Sequence, residues 1–228
     1  MIDVLLDIDG PLADHDQSTL IQLYSEYFKI DISPERRQTL HCVSDFEALP
    51  EARTFKDAMG VVKYDFLMQI IIFDPRHCDA AIAQPSSSAG VTMLSDSMHV
   101  GYCTARRGMT AIWTEAVERA TRSWLGQHDF PNPDAVTFCE GPAGKLHYIA
   151  QSLINHPRTI VLIDDLSSQL VQAFSTLTFQ EQEVLTASFI LGAYGSAQWV
   201  EPTPFRVIPF LSWEHMDHFL LDIKGLDA

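Results

Sequence analysis

Three apolar runs in this chain each stop on a carboxylate or a hydroxyl, and helical text separates them. Ile2–Ile8 (IDVLLDI) leads into Asp7-Ile8-Asp9-Gly10, His99–Thr104 (HVGYCT) ends at Thr104, and Thr159–Ile163 (TIVLI) ends at Asp164-Asp165. Short apolar runs of this kind are the pattern of strands buried on both faces. A fourth run, 135–139, precedes a helical stretch, 145–154, that opens with Lys145. Between the second and third strands lies an amphipathic stretch, 108–127, with Ile112, Trp113, Val117, Trp124 and Leu125 at helical spacing. Weaker strands are expected at 187–191 and 205–208, and a last helix at 213–223. Strands alternating with helices imply an α/β class: a Rossmann-like, doubly wound parallel sheet. Ligands bind such sheets outside the carboxyl ends of the strands, so the four polar strand endings and helix starts converge on one crevice.

The first two of these strands are separated by residues 15–98, far more than a connection of about 4–6 residues. The insertion is helical and aromatic-rich in pattern. Asp16 or Ser18 is placed to cap a helix carrying Leu20, Leu23, Tyr24, Tyr27 and Phe28, and Pro34, Pro50 and Pro75 mark breaks. Ser86–Leu94 reads as a further helix. The chain therefore divides into a core of 1–14 and 99–228 and an inserted helical domain of 15–98.

The carboxylates carry the chemistry. Asp7, Asp9, Asp14 and Asp16 fall within ten residues of chain, and Gly10 and Pro11 turn it there. Carboxylates packed this densely repel one another unless a cation neutralises them. With Asp164 or Asp165 added, Asp7 and Asp9 make an oxygen-rich site suited to Mg²⁺, a hard cation able to clamp a phosphate oxygen. Thr104 or Lys145 alone would be unremarkable. The ordered set, each member at a strand end or a helix start, is not.

That set resembles the haloacid dehalogenase (HAD) superfamily of phosphotransferases. The superfamily's strand followed by D-x-D-G is matched by Asp7–Gly10, its strand-end Thr or Ser by Thr104, its Lys by Lys145, and its acidic pair by Asp164 and Asp165. Within it the chain resembles the 5′(3′)-deoxyribonucleotidases, through the opening DIDGPLAD, the stretch RSWLGQH (122–128) and the late LSWEHMDHFL (211–220). It departs from them at Pro11, where Val or Thr is usual, and at Ala105-Arg106-Arg107, where a Ser-Pro type sequence follows the Thr. The resemblance implies that Asp7 is a nucleophile forming an aspartyl-phosphate and that Asp9 is the acid and base. Thr104 and the backbone of the Asp9–Gly10 turn would bind phosphate, next to Ala105, and Lys145 would hold the phosphate and the charged nucleophile. Mg²⁺ would be held by Asp7, the Asp9 carbonyl, and Asp164 or Asp165. The insertion would be a helical cap, in which Phe46 and Tyr64 are candidates to stack on a base, against a competing reading as part of the cap's own small core. Arg106 and Arg107 are candidates to steer an anion, against a competing reading as helix-start surface charges.

Fifteen Lys plus Arg against 30 Asp plus Glu leave a net charge of −15. That disfavours nucleic-acid polymers and anionic membrane surfaces as partners, and with them a phosphatase of nucleic-acid 3′ ends. Cys42, Cys78, Cys103 and Cys139 form no C-x-x-C pair and are expected to be reduced thiols of a cytoplasmic protein. No signal peptide and no membrane-spanning run is expected. His215 and His218 lie three apart without an evident third ligand, and Trp213 reads as a packing anchor. The expected activity is a Mg²⁺-dependent phosphomonoesterase acting on a nucleoside monophosphate. A phosphatase of another metabolite, such as a sugar phosphate, and a non-catalytic phosphate-binding protein are the alternatives. The oligomeric state, a homodimer included, is left open.

Overall fold

The computed structural model describes residues 2–199 and 202–225. It divides into two compact units: Met1–Asp14, Ala83–Arg106 and Leu125–Ala228 in one, His15–Ile82 and Arg107–Trp124 in the other.

The first unit is built on a six-stranded sheet. Its strands are β1 (Ile2–Leu6), β4 (His99–Thr104), β5 (Val136–Phe138), β6 (Thr159–Asp164), β7 (Phe189–Tyr194) and β8 (Arg206–Phe210). The order is β5-β4-β1-β6-β7-β8, with every pairing parallel. The two-residue strands β2 (Ala13–Asp14) and β3 (Ile82–Ala83) lie where the chain leaves this unit and returns.

Burial on both faces explains why the strand sequences are continuously apolar. Val4, Leu6, Val161, Leu162 and Ile163 are all fully buried. On one face, helices Gly141–Asn155, Ser167–Phe174 and Phe179–Ser188 close a core of Leu146, Ile149, Leu162, Leu170, Leu185 and Leu191. On the other lie helix Ser87–Ser95, the 3-10 turn Trp213–His215 and helix Met216–Lys224. Trp213 is buried there, and its ring leaves no room for a Cβ at Gly90, where one would fall 2.4 Å from Cε3. The doubly wound α/β architecture is therefore present.

The strand order decides where a site can form. The chain proceeds from β1 outward to β4 and β5, then crosses back to β6 on the other side of β1. The switch falls between β1 and β6, and a crevice opens at the carboxyl ends of such a pair. Leu6 is in register with Tyr102 on one side and with Ile163 on the other. Asp7, Thr104 and Asp164 therefore emerge at one edge of the sheet.

The second unit is helical. Gln17–Phe28 is capped by Asp16, whose carboxylate accepts the Thr19 N–H at 2.7 Å. Pro34, Pro50 and Pro75 each begin a helix, where the missing N–H costs nothing. The core of this unit is Leu20, Leu23, Tyr24, Phe28, Phe46, Tyr64 and Ile71. Phe28 is its hub, stacked on Phe55 at 4.4 Å between ring centroids and meeting Phe46 and Tyr64 edge-on at 5.5 and 5.9 Å.

The boundaries differ from those read in the sequence. Helix Ser87–Ser95, assigned there to the insertion, groups with the sheet. Residues 107–124, assigned there to the core, group with the helical unit. The reason for the second is visible in two indoles: Trp113 donates to the Phe73 carbonyl at 3.0 Å and Trp124 to that of Ala81 at 2.7 Å.

Candidate active site

The loop after β1 is pinned by its own backbone. The N–H groups of Leu12 and Ala13 both donate to the Ile8 carbonyl, at 3.0 and 2.8 Å, and that of Gly10 donates to Ala13 at 2.9 Å. Gly10 has φ +89°, a conformation that favours glycine, and its neighbour Pro11 needs no N–H donor in this turn. A Cβ on Gly10 would lie 2.4 Å from the Asp165 carboxyl carbon, so that carboxylate rests directly against the turn. The turn's carbonyls are held as well: Gly10 accepts from Gln84 Nε2 at 3.1 Å, and Pro11 accepts from the Trp213 indole.

Asp7 is buried at the centre of the site. Its Oδ1 accepts the Ile8 N–H at 2.8 Å, and its Oδ2 faces Lys145 Nζ at 2.7 Å. Lys145, itself buried, also donates to Asp164 Oδ2 at 2.7 Å. It sits in the second turn of helix Gly141–Asn155, which begins four residues earlier than the sequence suggested. The other oxygen of Asp164 accepts the Leu166 N–H at 2.8 Å. Asp164 is fully buried and doubly committed, whereas Asp165 is the exposed member of the pair.

Carboxylate oxygens of Asp7, Asp164 and Asp165 come within 4.8 Å of one another. Burial pushes the Asp7 carboxyl up to about 7, Lys145 opposing it while Asp164 and Asp9 add repulsion. Asp165 keeps solvent contact, yet partial desolvation of its carboxyl and then Asp164 push it up to about 6. Burial alone would lower the Lys145 ammonium, yet Asp7 and Asp164 hold it above its ordinary value. One ammonium thus faces more negative charge than it can neutralise. The all-oxygen donor set and that surplus of charge fit a hard divalent cation such as Mg²⁺.

Thr104 ends β4 fully buried, and its hydroxyl lies 3.4 Å from the Arg106 N–H that donates to it. Ala105 is half-buried between them. Arg106 is the main surprise. It is not a solvent-facing charge at a helix start, since the next helix begins at Ala111 and Arg106 is 1% exposed. Its Nε reaches both Asp9 oxygens, at 3.1 and 3.0 Å, and its Nη2 reaches Oδ1 at 2.7 Å. A guanidinium fork of this kind fixes the plane of a carboxylate as well as its position. Arg106 is thus the residue that sets how Asp9 is presented.

The structure therefore gathers Asp7, Asp9, Gly10, Thr104, Ala105, Arg106, Lys145, Asp164 and Asp165 at one sheet edge. It does not offer Phe46 or Tyr64 for base contact. Phe46 is fully buried and Tyr64 nearly so in the helical unit's own core, and the Tyr64 hydroxyl donates to Glu47. Among the described residues the three aspartates form the one cluster able to hold a metal, and His215 and His218 belong to none. His215 instead shares a hydrogen bond with Ser212 at 2.9 Å. No helix of the described residues is long and apolar enough to cross a membrane.

No family model and no curated protein matches the sequence. Solved structures do match the fold. A HAD family hydrolase from Deinococcus radiodurans, with bound phosphate and sodium, aligns over 96% of this chain and 95% of its own, at 13% identity and a TM-score of 0.51. A haloacid dehalogenase-like hydrolase from Burkholderia xenovorans aligns over 100% and 99%, at 13% identity and a TM-score of 0.50. The chain has the HAD-like fold.

Proposed function

We propose that the protein is a Mg²⁺-dependent phosphomonoesterase that works through an aspartyl-phosphate on Asp7. The observation that carries this reading is the buried Asp7 carboxylate held by Lys145, beside Asp164 and Asp165, at the switch point of the sheet. The phosphate bound by the Deinococcus radiodurans structure is in keeping with it.

Asp7, Asp165 and the Asp9 carbonyl would hold the cation, with Asp164 beneath them. The metal would supply charge neutralisation on the phosphoryl oxygens. Asp7 Oδ1 is fixed by the Ile8 N–H and Oδ2 by Lys145, so the nucleophile is oriented before substrate arrives. Thr104 and the backbone N–H groups of the Asp9–Gly10 turn would cradle the phosphoryl oxygens. Asp9, oriented by Arg106, would protonate the leaving alcohol and later take a proton from the attacking water. Nucleoside monophosphates are the leading substrate class, and the inserted helical unit would discriminate between leaving groups. A sugar phosphate is the second reading, because the aromatic residues proposed to read a base are committed to core packing.

Phosphate release from a panel of deoxynucleotides, ribonucleotides and sugar phosphates with Mg²⁺ tests this. Wild type is expected to turn over at least one of them. Asp7→Asn is expected to fold, by circular dichroism, and to turn over none. Equal turnover by Asp7→Asn would remove Asp7 as nucleophile, and a silent panel with Mg²⁺ bound would favour a non-catalytic phosphate-binding protein.

A further inference from the structure

Two cysteines stand immediately behind the phosphate cradle. Cys103 precedes Thr104 in β4, and Cys139 follows β5. The strands run in parallel register, Cys103 opposite Thr137 and Thr104 opposite Phe138. One step further along, the Cys139 N–H donates to the Thr104 carbonyl at 2.8 Å. The two sulfurs are 3.4 Å apart and share a hydrogen bond. Their surroundings differ. Cys103 is sealed in the core, while Cys139, 7% exposed, lines an open cleft of about 910 Å³ together with Glu140, Gly144, His147 and Glu181.

We propose that Cys103 and Cys139 are a redox-active pair that closes to a disulfide on exposure to a peroxide and thereby disables the phosphate cradle at Thr104. Cys139 is the sulfur an oxidant reaches first, from the cleft. Either sulfur can donate in their shared hydrogen bond. That bond and Lys145 hold the Cys139 thiol below its ordinary range, against burial, while the same bond and burial hold Cys103 well above its own. Thiolate character together with access is what marks a peroxide-sensitive cysteine.

The chemistry balances with hydrogen peroxide as oxidant. The Cys139 thiolate attacks one peroxide oxygen. A sulfur–oxygen bond forms, the oxygen–oxygen bond breaks, and the leaving hydroxide takes up the proton that the Cys139 thiol had released, giving water. Cys103 then attacks the sulfenic sulfur. The sulfur–sulfur bond forms, the sulfur–oxygen bond breaks, and the Cys103 proton goes out with hydroxide as a second water. Two thiols and one peroxide give one disulfide and two waters. Closing 3.4 Å to a bond of roughly 2.0 Å must draw Cys139 and Cys103 together. Both are tied to Thr104, one by its peptide bond and the other by its N–H, so the hydroxyl that would hold phosphate shifts with them.

The bond does not depend on the phosphatase reading; its effect on turnover does. The folded wild type is treated with hydrogen peroxide, alkylated and digested without reductant, and its peptides are weighed. A linked Cys103–Cys139 peptide, two hydrogens lighter than its parts and cleaved by dithiothreitol, is expected. Both cysteines recovered alkylated, or Cys139 recovered as a sulfinic acid, would overturn the pair and leave them as core packing. Under the same treatment wild type is expected to lose most of its phosphate release and regain it with dithiothreitol. Cys103→Ser and Cys139→Ser, each folded by circular dichroism, are expected to keep theirs. A linked peptide with unchanged turnover would overturn the disabling step, and should the enzyme prove silent on every phosphate ester, the linked peptide still decides the pair.

Discussion

At the scale of single residues, the site is a problem of charge. Asp7 and Asp165 sit at about 7 and about 6, against an ordinary value of 3.8, chiefly because burial disfavours their charged forms. A carboxyl raised in this way binds its proton in the folded state over a window where the unfolded chain has already released it. Without metal, the stability it contributes is complete below about pH 4 and is lost as pH rises through 6 to 7. Binding a divalent cation requires those protons to leave, so affinity should move the opposite way and strengthen across the same window. The melting-temperature gain on adding Mg²⁺ is therefore expected to be much larger at pH 8 than at pH 5.5. A gain that is equal at the two values would mean that these carboxylates do not hold the metal. Most of this cluster was legible in the sequence, because Asp7, Thr104 and Asp164 follow unbroken apolar runs. Arg106 was a candidate to steer an anion, but its burial and its hold on Asp9 were not legible, because Asp9 lies 97 positions away and a basic residue after a strand carries no mark of burial.

At the scale of elements, the helical unit shows why aromatic composition is weak evidence for a ligand. Phe46, Phe55 and Tyr64 each meet Phe28, at ring distances of 4.4 to 5.9 Å, which commits them to the unit's own packing. Removing Phe46 would empty a fully enclosed position and is expected to cost about 3–5 kcal/mol. Tyr64→Phe takes away only the hydroxyl that meets Glu47. It is expected to leave KM for every turned-over phosphate ester unchanged, and a selective rise in KM for nucleotides would restore Tyr64 as a base contact. Helix Phe179–Ser188 is hard to read from sequence because Gln, Glu and Thr dilute its apolar periodicity, and Ser167–Phe174 because its periodic stretch is only 8 residues long. One signal was there to find. Thr178 and Glu181 form a reciprocal capping box, the spacing that opens many helices.

At the scale of the whole molecule, a net charge of −15 accompanies a site proposed to receive an anion. The basic groups identified at that site are already engaged, Lys145 by Asp7 and Asp164 and Arg106 by Asp9. On the proposed function, a monophosphate ester would carry its charge into the site, where Lys145 and a cation held by the aspartates would offset it. A phosphate on the end of an oligonucleotide brings further charges that remain outside, facing the acidic surface. That repulsion acts over a Debye length of about 30 Å at 0.01 M salt but only about 8 Å at 0.15 M. With salt raised over this range, kcat/KM for a 3′-phosphorylated oligonucleotide is therefore expected to rise towards that of the matching mononucleotide, whose own kcat/KM changes little. A nucleic-acid-binding enzyme would show the reverse, because counterion release makes its affinity fall with salt. Steady-state kinetics on the two substrates at both salt concentrations separates the cases, and a falling oligonucleotide kcat/KM would show that local basic contacts outweigh the charge of the molecule as a whole.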